Sequence, residues 1–328
     1  MGSRQFRPPE YMPQIQTVKG PIDSAALGRT LMHEHLFVVN PELQSNFPGY
    51  GGWDEEEQLR SGAQKLNALH AAGYSTLVDA TVMPMGRDVR RIRRLAELTD
   101  LNIIVATGLY VFDEIPGALS VRPPKGQEDP LIDLFRSDIE VGTGSTAIRA
   151  GIIKVATDRP GITRGSERVL RAAAQAHRQT GTPITTHSRP RLRGGLDQQR
   201  VFAEEGVDLS RVIIGHSGDT TDVDYLEEVV ANGSYIGMDR FGIDWIPFEE
   251  RVEIVQKMCA RGHSNRMVLS HDASLFTDWG SPTFPHWHYL HLDDDVLPEL
   301  RRRGVTDDQI DQMLIENPRQ IFENQEPY

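Results

Sequence analysis

The sequence predicts an α/β fold: one (β/α)8 TIM barrel over residues 1–328, carrying an extra C-terminal helix. Two observations predict it. Eight short runs rich in Val, Ile and Thr recur along the chain, each followed by a segment with helical apolar spacing. No linker, low-complexity tract or block of like charge divides the 328 residues, a length that one barrel accommodates.

The strands read in order as TLMHEHLF (30–37), STLVDAT (75–81), NIIVATGLY (102–110), GIIKVAT (151–157), PITTHS (183–188), RVIIGHS (211–217), SYIGMDR (234–240) and MVLSHDAS (267–274). Between them lie amphipathic stretches such as EEEQLRSGAQKLNALHAAG and SERVLRAAAQAHRQTG, several closing on Gly, a usual helix stop. TDDQIDQMLIENPRQIF supplies the closing helix, and residues 1–15 read as a poorly ordered N-terminal extension. Two irregular stretches, 111–130 and 274–290, follow the third and eighth strands, on the face where barrels build their sites. The second carries Phe276, Trp279, Phe284 and Trp287, so it reads as ordered and substrate-facing.

Composition excludes several function classes. Against 35 basic side chains stand 47 acidic ones, a formal charge of −12 that disfavours nucleic-acid binding. The single cysteine, Cys259, excludes an internal disulfide or a multi-cysteine metal site, and its apolar helical setting reads as core. No apolar run has the length of a membrane span or the character of a signal peptide, so no membrane partner and a cytoplasmic location are expected. VGTGSTA (141–147) matches a dinucleotide fingerprint but follows a helical stretch and precedes a strand, the reverse of the order that fingerprint needs.

The ionisable residues at the strand ends form a pattern. His33 and His35 lie on strand one, Lys154 on four, His187 on five, His216 on six and Asp272 on eight. Side chains alternate along a strand, so His33 and His35 share a face and Glu34 points away; His271 likewise points away from Asp272. Imidazole and carboxylate are common ligands for zinc and its neighbours. Taken singly, a strand-end histidine is more often a core residue, as His70 and His177 read on their helices. His263, His286, His288 and His291 receive no ligand role. A shared interior run of imidazoles without a metal would leave them poorly paired. Lys154 sits in the middle of an apolar strand, costly unless paired. It is a salt-bridged lysine, a Schiff-base nucleophile, or a desolvated amine that adds CO2 to become a carbamate able to bridge two divalent cations.

HEH, GIIKVAT, TTHS, IGHSGDT and LSHDAS together resemble the phosphotriesterase family of the amidohydrolase superfamily, and are most similar to its phosphotriesterase-like lactonases. The similarity runs from about Gly20 to Phe322 and includes ATGLY (106–110), LDQQR (196–200) and GMDRFG (237–242). The resemblance implies two divalent metal ions, Zn2+ by default with Co2+, Mn2+ or Fe2+ accepted by the same ligands. It places one ion on His33, His35 and Asp272 and the other on His187 and His216, bridged by N6-carboxylated Lys154 and a hydroxide. It makes Asp272, Tyr110 and Arg240 the candidate catalytic residues, Asp272 as the proton acceptor, with Tyr110, Arg240, Phe276 and Trp279 lining the substrate site. The implied activity is hydrolysis of lactones, N-acyl-homoserine lactones (quorum quenching) above all, with promiscuous action on organophosphate triesters, by a homodimer. A proficient phosphotriesterase or carboxylesterase on the same centre, a Schiff-base lyase using Lys154, and a non-catalytic metal-binding barrel are the alternatives. EIPGALSVRPPKG after Tyr110 lacks the family's aromatic run, and SRPRLRGG after His187 is rich in arginine, so acyl-chain preference is left open.

Overall fold

All eight runs form strands: β1 (Arg29–Val38), β2 (Tyr74–Asp79), β3 (Asn102–Gly108), β4 (Ile152–Ala156), β5 (Ile184–His187), β6 (Val212–Ile214), β7 (Tyr235–Met238) and β8 (Met267–Leu269). They pair in parallel with their chain neighbours in a computed structural model that describes residues 14–111, 115, 117–120, 127–280, 284–323 and 325–328. Nearly every strand residue is buried, as expected where a parallel sheet is covered on both faces. This explains why the runs read as continuously apolar.

A ninth strand, β9 (Ser274–Thr277), lies where the sequence suggested only irregular loop. It runs parallel to β1, with Ser274 opposite His35 and Phe276 opposite Phe37. The segment between β8 and β9 completes closure: Asp272 N–H donates to His33 O at 3.1 Å, and His35 N–H donates to Ala273 O at 2.8 Å. The barrel is therefore sealed by the same residues that carry the candidate ligands.

Inside the barrel, Met32, Val78, Ile104, Ile152, Ile213 and Val268 form an apolar plug, one residue from each of six strands. Ile15, Leu27 and Phe322 belong to the same cluster and cap the end of the barrel remote from the site. Ile15 lies in an antiparallel hairpin, Gln14–Thr17 with Gly20–Asp23, that the sequence reading missed. It begins inside the stretch expected as a loose extension; residues 1–13 lie outside the described residues. The closing helix is three consecutive pieces, Asp307–Asp311, Gln312–Glu316 and Asn317–Glu323, the middle one a π turn. Half of the 111–130 stretch, with most of the departure after Tyr110, also lies outside the described residues; Gly117–Ser120 within it form a short helix. Among the described residues, no helix is long and apolar enough to cross a membrane.

Candidate metal centre

The C-terminal ends of the strands deliver the six candidate ligands to one place. His33 and His35 project from β1, Lys154 from the middle of β4, and His187 from the last position of β5. His216 and Asp272 follow β6 and β8 and hold positive φ angles of 59° and 55°, a left-handed backbone that is costly for residues with side chains. Gly108 ends β3 beside Lys154; a Cβ there would lie 1.9 Å from Lys154 O, so only glycine lets the two strands approach.

The side chains converge closely. Lys154 Nζ lies 2.5 Å from His33 Nε2. Asp272 Oδ1 is 3.1 Å from His35 Nε2 and 3.7 Å from His33 Nε2, while its Oδ2 is 3.8 Å from His216 Nε2. The ring of His216 stands 4.8 Å from that of His33 and 4.5 Å from that of His187.

A surrounding shell orients these rings. Asp239 Oδ1 accepts from His216 N–H at 2.8 Å and faces His216 Nδ1 at 2.9 Å, while Oδ2 lies 3.1 Å from His33 Nδ1. Thr81 Oγ1 meets His35 Nδ1 at 2.8 Å, and is itself tied to Asp79 at 2.6 Å. With Nδ1 engaged, each Nε2 turns inward with its lone pair available. Asp158 faces the outer nitrogen of His187 at 3.6 Å.

Electrostatics act in the same direction. Burial lowers the pKa of His33 and His216 well below the ordinary imidazole value and takes His187 to about 4, so all three are neutral near pH 7. Burial also lowers Lys154 to about 8, so an uncharged amine is readily populated. Asp272 is pushed upward by burial, but His216, Arg240, His35 and His33 outweigh that and hold its carboxyl well below the usual range. Burial raises the Tyr110 hydroxyl, keeping it a neutral donor.

A cavity of about 170 Å³ opens above this cluster. Tyr110 stands at its wall, its hydroxyl 3.4 Å from His187 Nδ1 and its ring 5.7 Å from Trp279. Arg240 donates from Nε to Asp272 at 2.9 Å and from Nη1 to Asp219 at 2.8 Å, under the ring of Trp245. Trp279, Phe284 and Trp287 from the last loop line the cavity, but Phe276 does not. Although Ser274, two residues earlier, does line it, the Phe276 ring packs instead on Trp53, 5.0 Å away, which also meets Phe37. Trp245 and Met85 line the cavity and carried no role in the sequence reading; nor did Asp239, although it sits within the quoted GMDRFG.

The donor set suits divalent cations. One ligand atom each from His33, His216 and Asp272 falls within 4.8 Å of the others, and burial keeps the His33 and His216 imidazoles neutral, with Asp239 behind both. A His/Asp cluster that could bind metal, at the mouth of a parallel barrel, defines the class: a barrel with a metal site on the face where such folds do their chemistry.

Comparison with known proteins narrows the class. The model of the phosphotriesterase family matches residues 13–322. The chain is 54% identical over 327 residues to the phosphotriesterase homology protein of Mycobacterium tuberculosis (strain H37Rv), covering 97% of this chain and 100% of that one. It is 36% identical to the aryldialkylphosphatase of Saccharolobus solfataricus, covering 93% and 98%. Among solved structures, the phosphotriesterase from Mycobacterium tuberculosis superposes with a TM-score of 0.93 at 52% identity, over 96% of this chain and 100% of that one. A mutant PTE-like lactonase of Deinococcus radiodurans gives 0.85 at 34%, over 94% and 99%. The chain belongs to the phosphotriesterase family.

Proposed function

We propose that this protein opens lactone rings, N-acyl-homoserine lactones above all, with organophosphate triesters as slower substrates. The observation that carries this reading is the neutral Tyr110 hydroxyl, set 3.4 Å from His187 at the edge of the ligand cluster and facing a wall of Trp279, Trp245, Phe284 and Trp287. A donor beside the centre suits the planar ester of a lactone, and the aromatic wall suits an acyl chain.

In this reading His33, His35 and Asp272 would hold one divalent ion, zinc the first choice, and His187 and His216 would hold a second. Lys154, whose neutral amine could add CO2 by forming an N–C bond and giving up a proton to solvent, would supply an anionic oxygen donor to the same cluster. When bound, such a pair lowers the pKa of water and polarises the ester carbonyl. The chain's own residues do the rest. Asp272, kept ionised by Arg240 and the imidazoles, accepts a proton; Tyr110 orients the ester; the aromatic wall excludes water from the acyl chain. Assembly as a cytoplasmic homodimer belongs to the same reading.

The second reading, a proficient phosphotriesterase, is favoured by the 36% identity to an aryldialkylphosphatase. Comparing kcat/KM for a long-chain acyl-homoserine lactone and for paraoxon decides between them. Phosphotriester turnover far above lactone turnover would overturn the proposal.

A further inference from the structure

The geometry points to a second, separate metal site behind the last loop, built from His286, His291 and Asp295 and suited to a single Zn2+. One donor atom from each of the three lies within 4.8 Å of the others. His291 Nδ1 is 2.9 Å and His286 Nδ1 3.6 Å from the same oxygen, Asp295 Oδ2. Ligands about 2.0 Å from a tetrahedral Zn2+ stand roughly 3.3 Å apart, so these two separations bracket the edge of a zinc tetrahedron.

The local chain explains the convergence. His291 and Asp295 are four residues apart at the start of a helical segment, which places both on one face. His286 arrives from the preceding loop, whose backbone is seated on Gly242, where a Cβ would lie 2.3 Å from His286 O. Among the described residues, the ion-pair partners of Asp295 are these two imidazoles and no arginine or lysine.

The site is accessible and leaves coordination positions open. The His286 and Asp295 side chains are 59% and 46% exposed, whereas His291 is nearly enclosed. The three residues border a cavity of about 220 Å³ that also touches Phe248, Asp244 and Arg251. None of them lines the cavity above His33 and Asp272. The ion would tie the loop carrying Phe284 and Trp287 to the helix bearing Asp295, fixing one wall of the neighbouring cavity. It is independent of the substrate proposed above.

The test is the zinc content of intact protein equilibrated at micromolar free Zn2+. The variants are His286→Ala and Asp295→Asn, both at exposed side chains, which spare the buried His291. Wild type should bind one Zn2+ per chain more than either variant, whatever the occupancy of the centre at Lys154. Zinc added after the tighter sites are filled should raise Tm in wild type and leave both variants unmoved. Equal zinc counts in all three proteins, or the same zinc-dependent rise in Tm, would overturn the inference.

Discussion

Arg240 and Asp272 are joined by a 2.9 Å ion pair, and the same guanidinium reaches Asp219 with a second nitrogen at 2.8 Å. Arg251 holds the other oxygen of Asp219 at 2.8 Å, so Asp272 is the end of a chain of alternating charges running out from the centre. The planar fork meets the two carboxylates through separate nitrogens at a fixed spacing, which the single nitrogen of an ammonium does not reproduce. Arg240→Met should therefore lower kcat/KM by about 10- to 100-fold, the usual cost of losing a group that orients a metal ligand. Arg240→Lys should recover only part of it, and steady-state kinetics on the three proteins checks both.

Lys154 offers a test that separates folding from chemistry. Its side chain is fully buried and its amine faces His33, so Lys154→Met keeps the volume and removes the costly polar atom. The metal-free variant should fold with a Tm at or above that of the metal-free wild type. Its bound divalent ion should fall, with activity reduced on the order of 10³-fold, a few kcal/mol of lost transition-state stabilisation. Calorimetry after chelation and elemental analysis after reloading give the two readouts.

Glu34, between the two histidines of β1, anchors the opposite side of that strand. Its carboxylate accepts from Ser270 Oγ, His271 N–H and Ala273 N–H, each at 2.8 Å, and meets His271 Nδ1 at 2.7 Å. Leu292 N–H donates to the far nitrogen of His271 at 3.1 Å. Glu34→Ala would strand these buried donors and should destabilise the fold by roughly 3–5 kcal/mol, whereas Glu34→Gln keeps an acceptor and should cost less. Urea unfolding of both variants measures the difference.

His177 supplies a pH dependence far from the centre. Burial lowers its pKa to about 4, with Nδ1 against Thr182 O at 2.7 Å and Nε2 against the Tyr328 hydroxyl at 2.8 Å. The unfolded chain takes up this proton below about pH 6.5 and the folded chain only near pH 4, so stability falls as pH drops across that window. The loss attributable to this group is up to about 3 kcal/mol, one pKa unit corresponding to 1.36 kcal/mol. His177→Leu, less stable at pH 7, should show a correspondingly flatter profile between pH 6.5 and 4 in denaturant titrations.

Much of this was legible in the residues themselves. The eight barrel strands stand out because a parallel strand covered on both faces must be apolar throughout, and His33, His35 and Lys154 are conspicuous as breaks in that rule. The hairpin at Gln14–Thr17 was not legible, because QIQTVKGPID is short, polar and lacks a sustained alternation. Ser274–Thr277 was hidden by its position just after the candidate ligand Asp272, where loop was the natural expectation. The role of Asp239 depends on β7 lying beside β6, a distance no local pattern encodes. Phe276 was misplaced because it departs from the alternation begun at Ser274, which lines the cavity, and joins Trp53 instead, a packing choice no local pattern encodes. His286 and His291 looked like ordinary loop histidines until the chain turn brought Asp295 between them.

Of the two backbone bonds that bring the β8–β9 segment onto β1, one joins Asp272 to His33 and the other joins His35 to Ala273, the neighbour of Asp272, so each has a candidate ligand in it. Fastener and reagent are thus one mechanical part. A hoop loosened at this point would part Asp272 from both histidines, so an opened cylinder would also be a dismantled site. Selection for chemistry at this seam is at the same time selection for a closed wall.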